Sequence, residues 1–171
     1  SAGVMREASD SRFDTSLNFN PDLAAIRSLA TLIKANGMSV SLTTFANVAN
    51  TISGDPSKVG NDRPFPADKK AWLADFSERE IGWAKFAREI GATAFIPFGD
   101  ETQHLFRDAE LTSGWLQRMG QIRKEFSGAL TTSWYTPGYG DFLSAIPKSI
   151  FDALDYIGVG LFPNLTTDNN A

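Results

Sequence analysis

The chain has 171 residues, 42% of them hydrophobic and 21% charged, with a formal net charge of −4. That length buries a real core and normally makes one domain, while the acidic balance argues against a nucleic-acid partner, which needs a basic face. No uninterrupted apolar run reaches the ~18 residues that mark a membrane span, and with no cysteine and one histidine, His104, thiolate and histidine-rich metal sites are excluded.

Residues 1–19 are polar and irregular and read as a loop or frayed lead-in to a domain over 20–171. Asn20-Pro21-Asp22 reads as a helix start, with Asn as cap and Pro in the first turn. Leu23, Ile26, Leu29, Ala30 and Ile33 then recur at helical spacing until Asn36-Gly37 stops the helix. Met38–Ala46 follows as a strand. The next segment, 47–67, is a long polar connection rich in Gly and Pro, and such loops are usually functional or mobile. Lys69–Ile90 is helical again, with a possible restart where Ser77-Glu78-Arg79-Glu80 matches a capping box.

After Gly91 comes the stretch around which the chain is organised, Ala92–Glu101. It runs apolar through Phe95, Ile96 and Phe98 and ends abruptly in Gly99-Asp100-Glu101. A short apolar run of this kind fits a strand buried on both faces, as in a parallel sheet. Paired carboxylates are costly in a packed interior but natural at the strand ends of an α/β barrel, where the chemistry resides. The cycle repeats with a helix over Ala109–Phe126, a strand over Ala129–Tyr135, a helix over Asp141–Leu154 and a strand over Tyr156–Phe162. Helix and strand thus alternate four times, which implies a parallel sheet with right-handed crossovers. No glycine-rich phosphate fingerprint follows any strand, so a nucleotide fold is disfavoured. Four Trp contribute to the 12% aromatic content and serve either as sugar-stacking surfaces or as core filler.

Four segments, taken in order, resemble a known family: Pro21–Leu42, Trp83–Glu101, Trp115–Trp134 and Leu154–Asn164. They are similar to helix two through strand six of glycoside hydrolase family 113, the β-mannanases of a large retaining clan. The resemblance implies a partial (β/α)8 TIM barrel with four parallel strands and intervening helices. It places Glu101 at the family's general acid/base, with Asp100 where the family carries Thr. Facing the cleft, Asp100 would raise the pKa of Glu101; otherwise it lies in the barrel wall or caps a helix. Thr43-Thr44-Phe45 stands where family members carry Lys-Pro-His, which puts mannan specificity in question.

Asp100, His104, Asn47, Trp134, Tyr135, Phe162 and Asn164 are the candidate substrate contacts, with Asn50 a weaker companion of Asn47. Trp134 and Tyr135 alternate in direction, so one would floor a sugar subsite and the other pack inward. A full barrel takes about 250 residues, so strands one, two, seven and eight are expected outside this chain, together with the clan's nucleophilic Glu. Since retaining hydrolysis needs two carboxylates about 5–5.5 Å apart, this chain alone is expected to be inactive. It reads as a fragment of a longer polypeptide or as a half-barrel completed by self-association. The expected activity of the whole is hydrolysis of O-glycosyl bonds in an oligo- or polysaccharide, with no metal or organic cofactor implied and no nucleic-acid or membrane partner. The alternative is a noncatalytic barrel-like module that binds glycans or scaffolds an assembly. A small open-sheet domain standing by itself is a third reading. The sequon at Asn164 gives a slight lean towards an extracellular or periplasmic location.

Overall fold

A computed structural model describes residues 5, 9–13, 22–46, 48, 63–135 and 143–160. In chain order the elements are α1 (Leu23–Ala35), β1 (Ser41–Thr43), α2 (Lys69–Glu89), β2 (Ala94–Gly99), α3 (Thr112–Glu125), β3 (Ala129–Tyr135), α4 (Lys148–Asp152) and β4 (Val159–Gly160). Two short 3-10 turns, Gln103–Arg107 and Ala109–Leu111, fill the step from β2 to α3. The strands pair in the order β1-β2-β3-β4, all parallel. This is the parallel sheet that the helix–strand alternation implies, and it fits the partial α/β barrel expected from the resemblance.

The helix ends follow elementary rules. Asp22, not Asn20, caps α1: its carboxylate accepts the N–H groups of Ala24 and Ala25 at 3.0 Å, and Asp68 does the same for α2 through Lys70 and Ala71. Gly37 and Gly91 follow α1 and α2 with φ of 74° and 68°, and the N–H groups of Met38 and Ala92 close back on Ile33 and Ala87. The restart expected near Ser77 does not occur, and α2 runs unbroken for 21 residues. The Ser77 hydroxyl instead bonds back to the Leu73 carbonyl one turn earlier, so it has no need to cap.

Strand β2 carries a register shift between Phe95 and Phe98. Pro97 lies inside that shift, where its missing N–H costs the ladder nothing. The shift changes the alternation of faces. Phe95 packs on Phe126 and Phe98 on Phe106 and Trp115, so both look toward the helices although they stand three residues apart. Gly99 pairs with Ser133. Ser133 is exposed, whereas its neighbours Thr132 and Trp134 are buried. Gly99 and Ser133 therefore share the opposite face, which corresponds to the inside of a barrel.

The helix-side core is an aromatic cluster. Trp72 stacks on Phe76 at 4.9 Å and Trp115 on Phe106 at 4.0 Å, and Trp72, Trp115 and Trp134 are fully buried. For these three Trp the packing reading is the correct one. The irregular N-terminal stretch also supplies core: Met5 and Phe13 are buried, with Met5 bridged to Val48 and its sulfur accepting the Trp72 indole N–H. Near the start of β3 Asp155 pins the approach to β4. It accepts the Leu130 N–H at 2.8 Å and pairs with Arg123, and these two contacts hold its pKa below the usual carboxylate range.

Candidate active site

The backbone leaves β2 at Gly99, turns through Asp100 and Glu101, and enters the 3-10 turn at Gln103. Thr102 N–H bonds to Gly99 O at 3.2 Å and Gln103 N–H to Asp100 O at 3.3 Å. This tight turn folds the Glu101 side chain back over the strand end. A Cβ placed on Gly99 would stand 2.0 Å from Glu101 Oε2 and 2.9 Å from Oε1. The carboxyl group thus occupies the space that any other residue at 99 would fill. Because Gly99 looks to the same face as Ser133, Glu101 is aimed at the inner face, at the carboxyl end of the strand.

Glu101 is buried, at 8% exposure. Its Oε1 accepts the Ala46 N–H at 2.8 Å, from the segment that continues β1. Its Oε2 is buried with no partner. Burial is the largest influence on this group and pushes its pKa to about 7, opposed by the N–H groups of Ala46 and of Glu101 itself. The negative charge of Asp100 adds a smaller upward push and Arg79 a smaller downward one. Near neutral pH the group is poised between acid and base. Since Oε1 is committed as an acceptor, the proton of the neutral form belongs on Oε2, the oxygen still free to donate it.

The other sequence candidates divide. Asp100 is half-buried beside Glu101, and the 3-10 turn is capped from Thr102 without a side-chain bond, so Asp100 does not serve as its cap. His104 follows within that turn; its Nε2 lies 2.8 Å from the Pro64 carbonyl, and its ring rests 4.6 Å from the exposed ring of Phe65. Burial lowers the His104 pKa, against the Pro64 carbonyl. Trp134 is the inward-packing member of its pair, lodged between Phe106 and Phe151 on the helix side. Tyr135 ends β3, but its side chain lies outside the described residues, as do Asn47, Asn50, Phe162 and Asn164.

Several groups escaped the sequence reading. Glu80 of α2 is fully buried and accepts the Thr44 hydroxyl at 2.5 Å. Arg79 pairs with it at 2.8 Å and also donates to the Phe45 carbonyl at 2.6 Å. Burial raises the Glu80 pKa, while Arg79 and Thr44 hold it back. Gln103 is buried with an unpartnered Oε1, and His104 Nδ1 is likewise unpartnered. Three buried, unsatisfied polar atoms thus fall within residues 101–104, where native cores normally satisfy nearly all such groups. A cleft of about 200 Å³ elsewhere, between α2 and α3, includes Lys70, Glu110 and Arg118 and shares no residue with this cluster. Among the described residues no group of three or more His, Asp or Glu side chains is placed to hold a metal, and no helix is long and apolar enough to cross a membrane.

A GH113 β-1,4-mannanase complex aligns with 92% of this chain at a TM-score of 0.69 and 19% identity. The GH113 β-mannanase AaManA of Alicyclobacillus acidocaldarius, in complex with ManMIm, aligns over the same share at 0.67 and 21%. A further GH113 β-1,4-mannanase structure gives 0.66 and 18%. The fold is that of the GH113 β-mannanases. The chain spans about half the length of these proteins, 48% of each, as a partial barrel should. No protein-family profile and no curated sequence matches the chain. The likeness to the GH113 barrels is thus one of three-dimensional form carried by a distant sequence.

Proposed function

We propose that the protein carrying this segment is a retaining glycoside hydrolase acting on a β-linked polysaccharide of the mannan type, with Glu101 as its general acid/base. The observation that carries this reading is the Glu101 carboxyl group. It is buried at a strand end on the inner face, poised near pH 7, with one oxygen held by Ala46 and the other free. The structural kinship with GH113 β-mannanases supports the substrate class.

In the first step Oε2–H donates its proton to the glycosidic oxygen as the bond to the anomeric carbon breaks. A nucleophilic carboxylate from outside this segment attacks that carbon and forms the glycosyl–enzyme. In the second step the Glu101 carboxylate takes a proton from water, whose oxygen displaces the nucleophile and returns Glu101 to its acid form. Desolvation keeps the acid protonated up to about pH 7, and the Ala46 N–H steadies the anion between the two steps. Asp100 and His104, the neighbours of Glu101 along the chain, are proposed to contact the sugar, as are Tyr135, Asn47, Phe162 and Asn164.

Glu101→Gln in the intact protein tests the assignment. Turnover of the polysaccharide should fall by roughly 10²- to 10⁴-fold, the range for losing a general acid/base, while binding persists. Unchanged turnover would remove Glu101 from the mechanism, whereas binding with no turnover in the parent protein would favour the glycan-binding module.

A further inference from the structure

Three consecutive residues past the end of β1 are each held by a charged side chain. Thr44 donates its hydroxyl to Glu80 Oε2 at 2.5 Å. The Phe45 carbonyl accepts from Arg79 Nη2 at 2.6 Å. The Ala46 N–H donates to Glu101 Oε1 at 2.8 Å. Arg79 and Glu80 are joined at 2.8–2.9 Å through the Arg79 fork and Glu80 Oε1. The guanidinium is itself fixed over the rings of Phe13 and Phe76, at 4.6 and 5.4 Å. Glu80 is wholly buried and the Arg79 side chain is only 7% exposed.

A buried ion pair is expensive to desolvate, and apolar residues of the same shape often stabilise a core better. Its presence in a helix whose other buried positions are mostly apolar points to a role that apolar residues cannot fill. We infer that the Arg79–Glu80 pair is a positioning clamp: it locks residues 44–46 in the conformation that presents the Ala46 N–H to Glu101, and so sets the orientation of the acid/base. Neither residue touches substrate; both act through the β1 end. The clamp rests on the reading of Glu101 as acid/base and adds to it a remote determinant of catalytic geometry.

The charges facing Glu101 are Asp100 from its own turn and Arg79 from α2, with Glu80 behind Arg79 offsetting its charge and His104 on the following 3-10 turn. Removing Glu80's charge therefore exposes Glu101 to an unbalanced cation, and removing Arg79's charge withdraws a cation. By charge alone the two changes act on Glu101 in opposite directions, whereas loss of the Ala46 N–H acts upward in both.

The test uses Glu80→Gln and Arg79→Met in the intact protein, read by kcat, KM and the basic limb of the kcat/KM profile on the polysaccharide. A parallel NMR titration follows the Glu101 carboxyl carbon. Each variant should lose roughly tenfold in kcat with KM within about twofold, the signature of a misplaced catalytic group. The basic limb and the Glu101 titration should move to higher pH in both variants, because each releases the Ala46 N–H that holds the Glu101 pKa down. A pair that merely packs, or acts by charge alone, would leave the limb and titration of Glu80→Gln unmoved or lower them with kcat unchanged, and that result overturns the clamp. Should a single variant not fold, the double variant Arg79→Met with Glu80→Gln leaves no lone buried charge and should move the limb upward; no movement again overturns it. If Glu101→Gln keeps full turnover the acid/base reading fails, while the carboxyl titration still decides whether the clamp acts on Glu101.

Discussion

The two faces of the four-stranded sheet obey different rules. On the helix side Phe95, Phe98, Leu130 and Trp134 meet α2 and α3 through an aromatic cluster. There burial is complete and the energy is mostly hydrophobic transfer and ring packing. On the inner side the end of β2 carries a buried carboxyl with an unused oxygen, and the turn after it carries further unsatisfied polar atoms. The first region is optimised for stability and the second departs from it. Among the described residues three of the five buried polar side-chain atoms without a partner lie within residues 101–104, the others being Thr112 Oγ1 and Trp134 Nε1, and such a concentration is expected at a site that uses them.

That contrast can be broken or sharpened by measurement. The largest effect is expected on the helix side: Trp115→Ala removes the ring stacked on Phe106 and edge-on to Phe76 and Phe98. It should cost about 3–5 kcal/mol of stability in denaturant unfolding, with the pH profile of the folded fraction unchanged. A shifted profile would show that the two faces are not independent.

On the inner face Glu101→Gln should do the reverse and stabilise. The folded pKa of Glu101, about 7, lies above the ordinary 4.5, so the folded state binds this proton more tightly than the unfolded one. Its contribution is complete below pH 4.5 and is lost as pH rises through 7. At pH 8 the Gln variant should therefore be more stable than the parent by about 3 kcal/mol, converging with it near pH 4. Burial raises the Glu80 pKa as well, so a slope of the same sign should remain in the variant. Equal stability of the two proteins at pH 8 would mean that Glu101 is solvated.

Gly99→Ala sharpens the comparison at the level of one methyl group. The new Cβ has no room beside Glu101 Oε2, so the carboxyl must swing away, and kcat should fall by roughly ten- to a hundredfold. Unchanged kcat would show that the carboxyl works from another position. The smallest effect belongs to neither face. Asp22→Ala, at the exposed start of α1, should cost about 1 kcal/mol of stability and leave turnover untouched.

Much of this was legible in the residues. The spacing of Leu23, Ile26, Ala30 and Ile33, the stop at Gly37 and the step into β1 follow from local rules, and Ala129–Tyr135 is a strand over the expected residues. Local rules failed where tertiary contacts outvoted them. Ser77-Glu78-Arg79-Glu80 matches a capping box, yet the helix continues because Glu80 finds Thr44 and Arg79 finds Phe45 from another strand. Neither partner can be inferred from helix periodicity. Met5 and Phe13 look like parts of a loose lead-in, but a cluster assembled from distant segments buries them. The expected strands over 38–46 and 156–162 are shorter among the described residues, three residues in β1 and two in β4.

The chain's own residues determined the alternation of helices and strands, the parallel sheet that alternation requires, and the presence of carboxylates at the end of a buried strand. These depend on periodicity, capping and chain-breaking residues, which act over a few positions. The direction of Glu101 was decided in three dimensions. The irregularity at Pro97 reverses the alternation along β2, brings Phe98 to the helices with Phe95, and turns Gly99 to the inner face. Only then does the turn after Gly99 lay the carboxyl beside the Ala46 N–H. That arrangement joins residues 55 positions apart, and desolvation by the surrounding fold is the largest cause of its raised pKa.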